Sequence, residues 1–452
     1  MIDITNAGCG WLYANQISKK YSQKGFQGFN QLAATYDPYI SDSAYSKTLN
    51  AENVPLFRDV EKWKQFTATR PAKNVPVVNV AVKPHATLDV IRDFYEQGGV
   101  SRFILQKPVA HTMAGLEKIK TLAQRHNLQL AVASNWGFSG FTSMLKETLK
   151  KAQAADYNVE KVVVRYGKMR EQGIKDSNPA LAELSHVLQI LKSSELIDSG
   201  WENIKPTARY ATYTENKAST LGITYAGVPG VRPGKPFDVD VDLVLKQPQA
   251  GDNPDERIRF VMVYFDDGDK KPDLIQVEGP GWEKIVDKFF VMKDPIQKIS
   301  RNEPSNVTID YSQLYDPKCE QRLKEGGIYY NIGETSPSRP TISSVSPKNP
   351  KGHIAFSEDT LVRMYGKVCD TFMQTAKELD PKAAWKRFQE KCDVTFEKFY
   401  PIARQVILAH ELWMKEAQME GYVEQPGNAL KFRRADSKAY TDTQAATMGR
   451  IA

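Results

Sequence analysis

The first 37 residues restrict the possible folds of this chain more than any other stretch. A β-prone run at 2–6 enters a glycine turn at 7–10, and an amphipathic helix pattern follows at 11–21. A second apolar run at 29–36 ends on Asp37. Strand, glycine turn, helix, strand and acid in this order are typical of a βαβ unit that binds a dinucleotide.

Each part of this unit would contact a different part of the ligand. Glycines let the backbone approach the pyrophosphate, and the N-terminus of the helix offers unpaired N–H groups to it. Two departures leave an ordinary β–turn–α unit open as an alternative. Tyr13 occupies the position of the third glycine, and Asp37 lies further along than the usual ~20 residues. The predicted cofactor contacts from the turn are Gly8, Cys9, Gly10, Trp11 and Leu12.

The acid at the end of the second strand favours one cofactor. The carboxylate of Asp37 would accept hydrogen bonds from the ribose hydroxyls and would repel the 2′-phosphate of NADP, so we expect NAD. NADP stays possible because Tyr36, Ser41 and Ser43 lie close to Asp37 in the sequence.

Strand and helix patterns alternate throughout the first 135 residues. The run at 75–82 is nearly continuous in β-branched residues, which is typical of a strand buried on both faces of a parallel sheet. The alternation predicts an α/β domain at 1–138, a Rossmann-type doubly wound parallel sheet with right-handed crossovers. Ligands bind beyond the carboxyl ends of such strands. The residues expected there, in addition to the glycine turn and Asp37, are Lys83, Pro84, His85, Gln106, Lys107 and Asn135.

The pattern changes after residue 138. Several long strand-like runs follow, together with one amphipathic helix pattern at 178–191. We expect an α+β domain at 139–355 with a large, mainly antiparallel sheet, one face of which could serve oligomerisation. Residues 300–352 have weak periodicity and are predicted to be a loop or insert. Residues 356–452 are predicted to form helices that pack back on the domains, with a poorly structured tail after residue 421.

Composition and charge exclude several function classes. The chain is 41% hydrophobic and 25% charged, and its net charge of +7 includes no block of Lys or Arg, so no nucleic-acid partner is expected. No apolar run approaches the ~18 residues of a membrane span, and the sequence starts on a strand pattern instead of a signal peptide. The four cysteines lack the spacing of a metal site. We therefore expect a cytoplasmic protein without a metal or a membrane partner.

The strand-end motifs, taken together, resemble the Gfo/Idh/MocA oxidoreductases, the family of glucose–fructose oxidoreductase and inositol dehydrogenase. The helix that carries Glu183-Leu184-Ser185-His186 before a strand-rich region is similar to part of that family's substrate domain. The motifs are Gly8-Cys9-Gly10-Trp11, Ala34-Thr35-Tyr36-Asp37-Pro38, Val80-Ala81-Val82-Lys83-Pro84-His85, Gln106-Lys107-Pro108 and Asn135-Trp136-Gly137-Phe138.

The resemblance implies a nicotinamide cofactor and hydride transfer to or from a small sugar, cyclitol or sugar derivative. The family's E-K-P motif corresponds to Gln106-Lys107-Pro108, which keeps the lysine and replaces the acid with an amide. The family's second motif places an acid four residues before a histidine. Here Ala182 occupies that position, and Glu183 lies three residues before His186.

The chemistry of alcohol oxidation assigns roles to these groups. A base must take the hydroxyl proton, and a cation must stabilise the developing alkoxide. His186 can be that base near neutral pH, Lys107 can supply the positive charge, and an inward-turned Glu183 could orient His186. Each could instead be an ordinary packed or surface residue. The residues expected to bind substrate are Trp136, Tyr166, Lys168 and His186.

Two other functions remain open. A cofactor-binding sensor or scaffold without turnover is favoured by the departures at Tyr13, Gln106, Ala182 and Gly137, the last of which stands where the family has arginine. A C=N or C=C reductase, or a hydrolase that uses tightly held NAD, is the second alternative. An open sheet face predicts a homodimer or homotetramer.

Overall fold

The computed structural model divides the chain into two compact units, Met1–Asn135 with Thr360–Ile407 (unit 1) and Trp136–Asp359 with Leu408–Ala452 (unit 2). Each unit is described by itself. The domain limits drawn from the sequence stay predictions. The structure describes residues 1–8, 30–38, 54–134, 136–138, 142, 146, 149–150, 158–169, 178–214, 218–230, 236–246, 259–266, 289–293, 306–310, 333–336, 339–341, 351–355, 360–417, 422–425 and 428–434.

Unit 1 is built on a six-stranded parallel sheet in the order β3-β2-β1-β4-β5-β6. This is the strand order of dinucleotide-binding Rossmann domains, and it confirms the predicted fold. The central strands are buried on both faces, as the run at 75–82 predicts. The strands are β1 (Ile2–Ala7), β2 (Asn30–Tyr36), β3 (Leu56–Phe57), β4 (Val75–Val80), β5 (Arg102–Leu105) and β6 (Gln129–Val132).

Helices α1 (Val60–Ala68), α2 (Thr87–Glu96) and α3 (Met113–His126) connect the strands of this sheet. Capping sets the limits of α3, because Thr112 accepts a hydrogen bond from the Gly115 N–H at 3.1 Å and Asn127 adopts a left-handed conformation after the last turn. The buried face of α2 includes Ile91 and Phe94.

Unit 2 is built on a six-stranded mixed sheet in the order β12-β11-β7-β10-β9-β8. Its neighbouring strands are antiparallel except for the parallel pair β7 and β10, which confirms the predicted mainly antiparallel sheet. A π-helical turn, Ala180–Leu184, continues into helix α4 (Ser185–Ser193). The strands are β7 (Asn158–Met169), β8 (Thr207–Thr214), β9 (Ala218–Val228), β10 (Phe237–Lys246), β11 (Arg259–Asp266) and β12 (Phe289–Lys293).

Three further helices follow, α5 (Thr360–Thr375), α6 (Pro381–Lys391) and α7 (Phe396–Glu416). Within unit 1, the chain between α6 and α7 pairs with the edge strand β6, since the Val132 N–H donates to the Val394 carbonyl at 2.7 Å. The last turns of α7, from residue 408 onward, belong to unit 2. None of the described helices is long and apolar enough to cross a membrane.

Two segments differ from the sequence prediction. In the predicted loop at 300–352, β13 (Asn306–Asp310) pairs with β16 (Lys351–Ala355), and β14 (Gly333–Ser336) pairs with β15 (Arg339–Thr341). In the predicted unstructured tail, β17 (Tyr422–Gln425) pairs with β18 (Asn428–Arg434). The loop and tail predictions are wrong at these residues, because strands this short show too few alternations to give a periodic signal.

Candidate functional site

The glycine turn after β1 accepts no side chain at Gly8. This residue has a φ of +90°, and its N–H donates to the Tyr36 carbonyl at 2.7 Å. A Cβ at Gly8 would lie 2.6 Å from the Ala81 carbonyl oxygen and 3.1 Å from a methyl group of Val82. Only glycine fits a position with this conformation and this contact. The turn therefore has the bare backbone that the approach of a pyrophosphate requires.

Asp37 follows the neighbouring strand β2 at the same edge of the sheet. Its N–H donates to the Phe57 carbonyl at 3.0 Å, which fixes the backbone at the end of the strand. The ring of Tyr36 contacts Phe94 edge-on at a centroid distance of 5.0 Å. Gly8 and Asp37 thus end two adjacent parallel strands, as a dinucleotide site requires.

A network of buried amides and one hydroxyl group lies at the carboxyl ends of β1, β4 and β5. Asn6 donates to the Gly8 carbonyl at 2.7 Å, and Asn79 donates to the Asn6 side-chain oxygen at 2.6 Å. Gln106 donates to the Asn79 oxygen at 3.0 Å and to the Tyr365 hydroxyl at 2.9 Å. Tyr365, from α5, donates to the same Asn79 oxygen at 2.9 Å. The amide of Gln106 therefore points into this network.

Lys107 and Lys83–His85 complete the carboxyl edge of the sheet. Lys107 is half-buried directly after β5, and its peptide bond to Pro108 is cis. After β4, Lys83 and His85 are exposed and Pro84 is buried. The His85 ring lies 6.2 Å from the His111 ring, and burial lowers the pKa of His111. The edge thus carries cationic and neutral polar groups next to the glycine turn.

In unit 2, His186 lies in the first turn of α4 among two aromatic rings and one acid. Its Nε2 is 4.0 Å from a carboxylate oxygen of Glu183, whose side chain is 2% exposed against 12% for His186. The rings of Tyr166 and Trp136 lie 5.6 and 6.3 Å from the imidazole, centroid to centroid. The structure therefore brings four of the predicted residues together.

Three residues of this cluster are almost fully buried. Tyr166 and Trp136 are 1% and 6% exposed, so their rings pack against each other and against the imidazole. Glu183 is turned inward from the π-helical turn that precedes His186. Turns of this kind occur frequently at functional sites. Gly137, where the resembling family has arginine, lies close to α4, and a Cβ there would be 3.2 Å from the side chains of Gln189 and Ser193.

Some predicted site residues lie wholly or partly outside the described part of the chain. For Lys168 only the backbone is described, and it belongs to β7 and pairs with Leu245 of β10. Among the described residues, no group of histidine, cysteine, aspartate and glutamate side chains could hold a metal ion. The residues wholly outside the description are Cys9, Gly10, Trp11, Leu12 and Asn135.

Asn6, Asn79 and Tyr365 were not among the predicted site residues. Two of them had a visible signal, because an asparagine inside an otherwise apolar buried strand needs a hydrogen-bond partner. Tyr365 had none, because the sequence does not show that α5 belongs to unit 1.

The fold is similar to that of inositol dehydrogenases and other oxidoreductases of known structure, which confirms the resemblance at the level of the fold. No family model and no curated protein matches the chain by sequence.

Three solved structures illustrate this likeness. A myo-inositol dehydrogenase from Corynebacterium glutamicum is 10% identical with a TM-score of 0.50, and the match covers 93% of this chain and 97% of that one. An oxidoreductase from Agrobacterium radiobacter in complex with NAD+, L-tartaric acid and magnesium is 12% identical, with a TM-score of 0.52 and coverages of 91% and 96%. A super-repressor mutant of Gal80p from Saccharomyces cerevisiae is 12% identical, with a TM-score of 0.54 and coverages of 96% and 98%. At these identities the three structures show a shared fold alone.

Proposed function

We propose that this protein is an NAD(P)-dependent oxidoreductase that acts on a hydroxyl or carbonyl group of a sugar, cyclitol or sugar derivative. The observation that carries the proposal is the Gly8 turn, where any side chain would collide with the Ala81 carbonyl, at the carboxyl edge of a Rossmann sheet. The same edge carries Lys107 directly after β5.

The cofactor would be held by the carboxyl edge of unit 1. Gly8 and the following residues Cys9, Gly10, Trp11 and Leu12 would meet the pyrophosphate, and Asp37 would meet the ribose and favour NAD over NADP. The remaining predicted cofactor contacts are Lys83, Pro84, His85, Gln106, Lys107 and Asn135.

The bound nicotinamide would accept or supply the hydride, and side chains of this chain would handle the proton. Lys107 supplies a positive charge that stabilises an alkoxide, and His186 takes the hydroxyl proton or returns it in the reverse direction. Glu183, at 4.0 Å from His186, orients the imidazole as a positioning residue.

The proposed substrate class combines the chemistry of these groups with the relatives. One relative acts on myo-inositol by its name, and another contains L-tartaric acid, so both point to small polyhydroxylated molecules. The rings of Trp136 and Tyr166 pack against each other, and Tyr166 also contacts His186. Lys168 is the remaining candidate for substrate contact. We expect a homodimer or homotetramer, which light scattering of the purified protein would test.

The proposal is tested by binding and turnover together. NAD+, NADH, NADP+ and NADPH are titrated by calorimetry, and a panel of cyclitols, aldoses and sugar acids is then screened by nicotinamide absorbance. Dinucleotide binding with turnover of at least one polyhydroxylated substrate supports the proposal. Absence of binding for all four dinucleotides contradicts it.

A dinucleotide-binding protein without turnover is the second candidate. It is favoured by the amide at Gln106, which donates into the interior network instead of presenting an acid, and by the shared fold with the repressor Gal80p. This candidate predicts tight dinucleotide binding that is unchanged in Lys107→Met and no turnover with any substrate of the panel.

A further inference from the structure

Gln106 stands where the resembling family has an acid, and the hydrogen bonds around it give a physical reason for the amide. We propose that a hydrogen-bond chain from Gln106 through Asn79 and Asn6 to the Gly8 carbonyl positions the glycine turn and thereby sets the strength of dinucleotide binding. The inference rests on the proposed function, because that function places a dinucleotide at the turn.

The direction of every bond in this chain is fixed by the backbone. The Gly8 carbonyl can only accept, so the Asn6 side chain must present its NH2 group to it, at 2.7 Å. The Asn6 oxygen then faces Asn79 at 2.6 Å and must receive the Asn79 NH2 group. The Asn79 oxygen is therefore an acceptor, and whatever residue 106 presents to it must be a donor.

Gln106 meets that requirement, and an ionised acid could not. Its NH2 group donates to the Asn79 oxygen at 3.0 Å. A carboxylate in the same place would bring two acceptors together, and the buried Asn79 oxygen would lose one of its donors. Because Asn6 and Asn79 are each only 1% exposed, water does not replace the missing donor.

Tyr365 makes the chain more rigid from a distant part of the sequence. Its hydroxyl donates to the Asn79 oxygen and accepts from Gln106, both at 2.9 Å, so the three groups form a closed ring. Gln106 thus links two parts of unit 1. It lies between the end of β5 and Lys107, and its hydrogen bonds lead to the turn that would hold the pyrophosphate.

The consequence is testable through pH. In Gln106→Glu, a deprotonated carboxylate breaks the chain, whereas a protonated carboxyl group can again donate to Asn79. The side chain of residue 106 contacts Asn79 from β4 and the Tyr365 hydroxyl from α5, and Lys107 follows it in the chain. Burial favours the protonated form of the new acid, and the positive charge of Lys107 opposes it.

The experiment measures the Kd of NAD+ by calorimetry for the full-length wild type, Gln106→Glu and Gln97→Glu, at about pH 8 and about pH 5.5. Gln97 is a matched control, because it is an exposed residue of unit 1 whose replacement makes the same charge change. We expect Gln106→Glu to bind about tenfold more weakly than Gln97→Glu at the higher pH, with most of the loss recovered at the lower pH. Equal weakening at both pH values, or no difference from Gln97→Glu, overturns the inference.

Two further measurements keep the outcomes separate. If the wild type binds NADP+ instead of NAD+, the same Kd values are measured with NADP+. If it binds none of the four dinucleotides, the proposed function fails, and the melting temperatures of the same variants then test the hydrogen-bond chain. A lower melting temperature in Gln106→Glu that recovers at low pH supports the inference, and a decrease that is independent of pH overturns it. If Gln106→Glu cannot be purified folded, Tyr365→Phe carries the test. It should raise the Kd about threefold at both pH values, and an unchanged Kd overturns the inference.

Discussion

The carbonyl oxygen of Ala81 lies 2.6 Å from the point that a Cβ on Gly8 would occupy, so only glycine fits at this position of the turn after β1. We predict that Gly8→Ala lowers the free energy of unfolding by about 3 kcal/mol, through the left-handed conformation and the collision together, and abolishes NAD+ binding. Urea unfolding and calorimetry measure the two effects.

Gly99 supplies the control for this prediction. It also has a left-handed conformation, with a φ of +68°, but no atom lies within 4 Å of a Cβ placed there. Gly99→Ala should therefore cost only about 1 kcal/mol and leave NAD+ binding unchanged. Equal losses in the two variants would show that the close approach at Gly8 is unimportant.

Asp37 should determine the preference between the two nicotinamide dinucleotides. Asp37→Ala is expected to weaken NAD+ binding about tenfold, because two ribose hydroxyls lose their acceptor, and to bring the Kd of NADP+ close to that of NAD+. Glu96→Ala removes an exposed carboxylate from the end of α2 and is the control. An unchanged ratio of the two Kd values in Asp37→Ala would count against its contact with the ribose.

Substitutions of Glu183 and His186 should lower kcat and leave substrate binding nearly unchanged. His186→Asn removes the proposed base, and we expect kcat to fall by 10²–10⁴, on the order seen when a general base is lost. Glu183→Gln keeps the side-chain shape but removes the charge at 4.0 Å, so kcat should fall about tenfold while KM stays constant. The control is Glu195→Gln, which alters a partly exposed ion pair with Lys146. A change in KM alone would contradict the assigned roles.

Asp240 should make unit 2 sensitive to acid. Burial raises the pKa of Asp240, but hydrogen bonds from Lys161 and Thr224 and the charge of Arg209 outweigh it, so the pKa lies below its ordinary value. The resulting stability is present above the unfolded pKa of ~3.9 and is lost as the pH falls through the lower folded value.

Asp240→Asn removes this contribution. The variant should be less stable than the wild type by on the order of 1 kcal/mol at neutral pH, and the difference should vanish as the pH falls through the lowered pKa of folded Asp240. Asp238→Asn is the control on the same strand, because Asp238 is exposed and its hydrogen bond from the Gly227 N–H at 3.0 Å can be kept by an amide oxygen. A difference that persists in acid would mean that Asp240 acts through packing.

The sequence predicts unit 1 well because buried parallel strands leave a strong signal. The β-branched run around β4 and the glycine after β1 are local features, and their order in the chain determines the strand order under the handedness rules. The network of Asn79, Gln106 and Tyr365 is not local. It depends on contacts between residues separated by most of the chain, and no periodicity reveals such contacts.

The predictions for unit 2 depended on fewer signals. The cluster around His186 was identified from the resemblance. The burial of Trp136 and Tyr166 could not be predicted from a single sequence, because it depends on which distant segments pack against them. The strand pairs β14–β15 and β17–β18 were missed because their strands are short and rich in polar residues.

Single-turnover hydride transfer in Lys107→Met and in His186→Asn tests the central claim most directly, with a substrate found in the panel and with the NAD+ affinity measured in parallel. We expect each variant to lose about 10³ in rate, while the Kd of NAD+ changes less than about threefold. Wild-type transfer rates in both variants, with NAD+ still bound, would contradict the account.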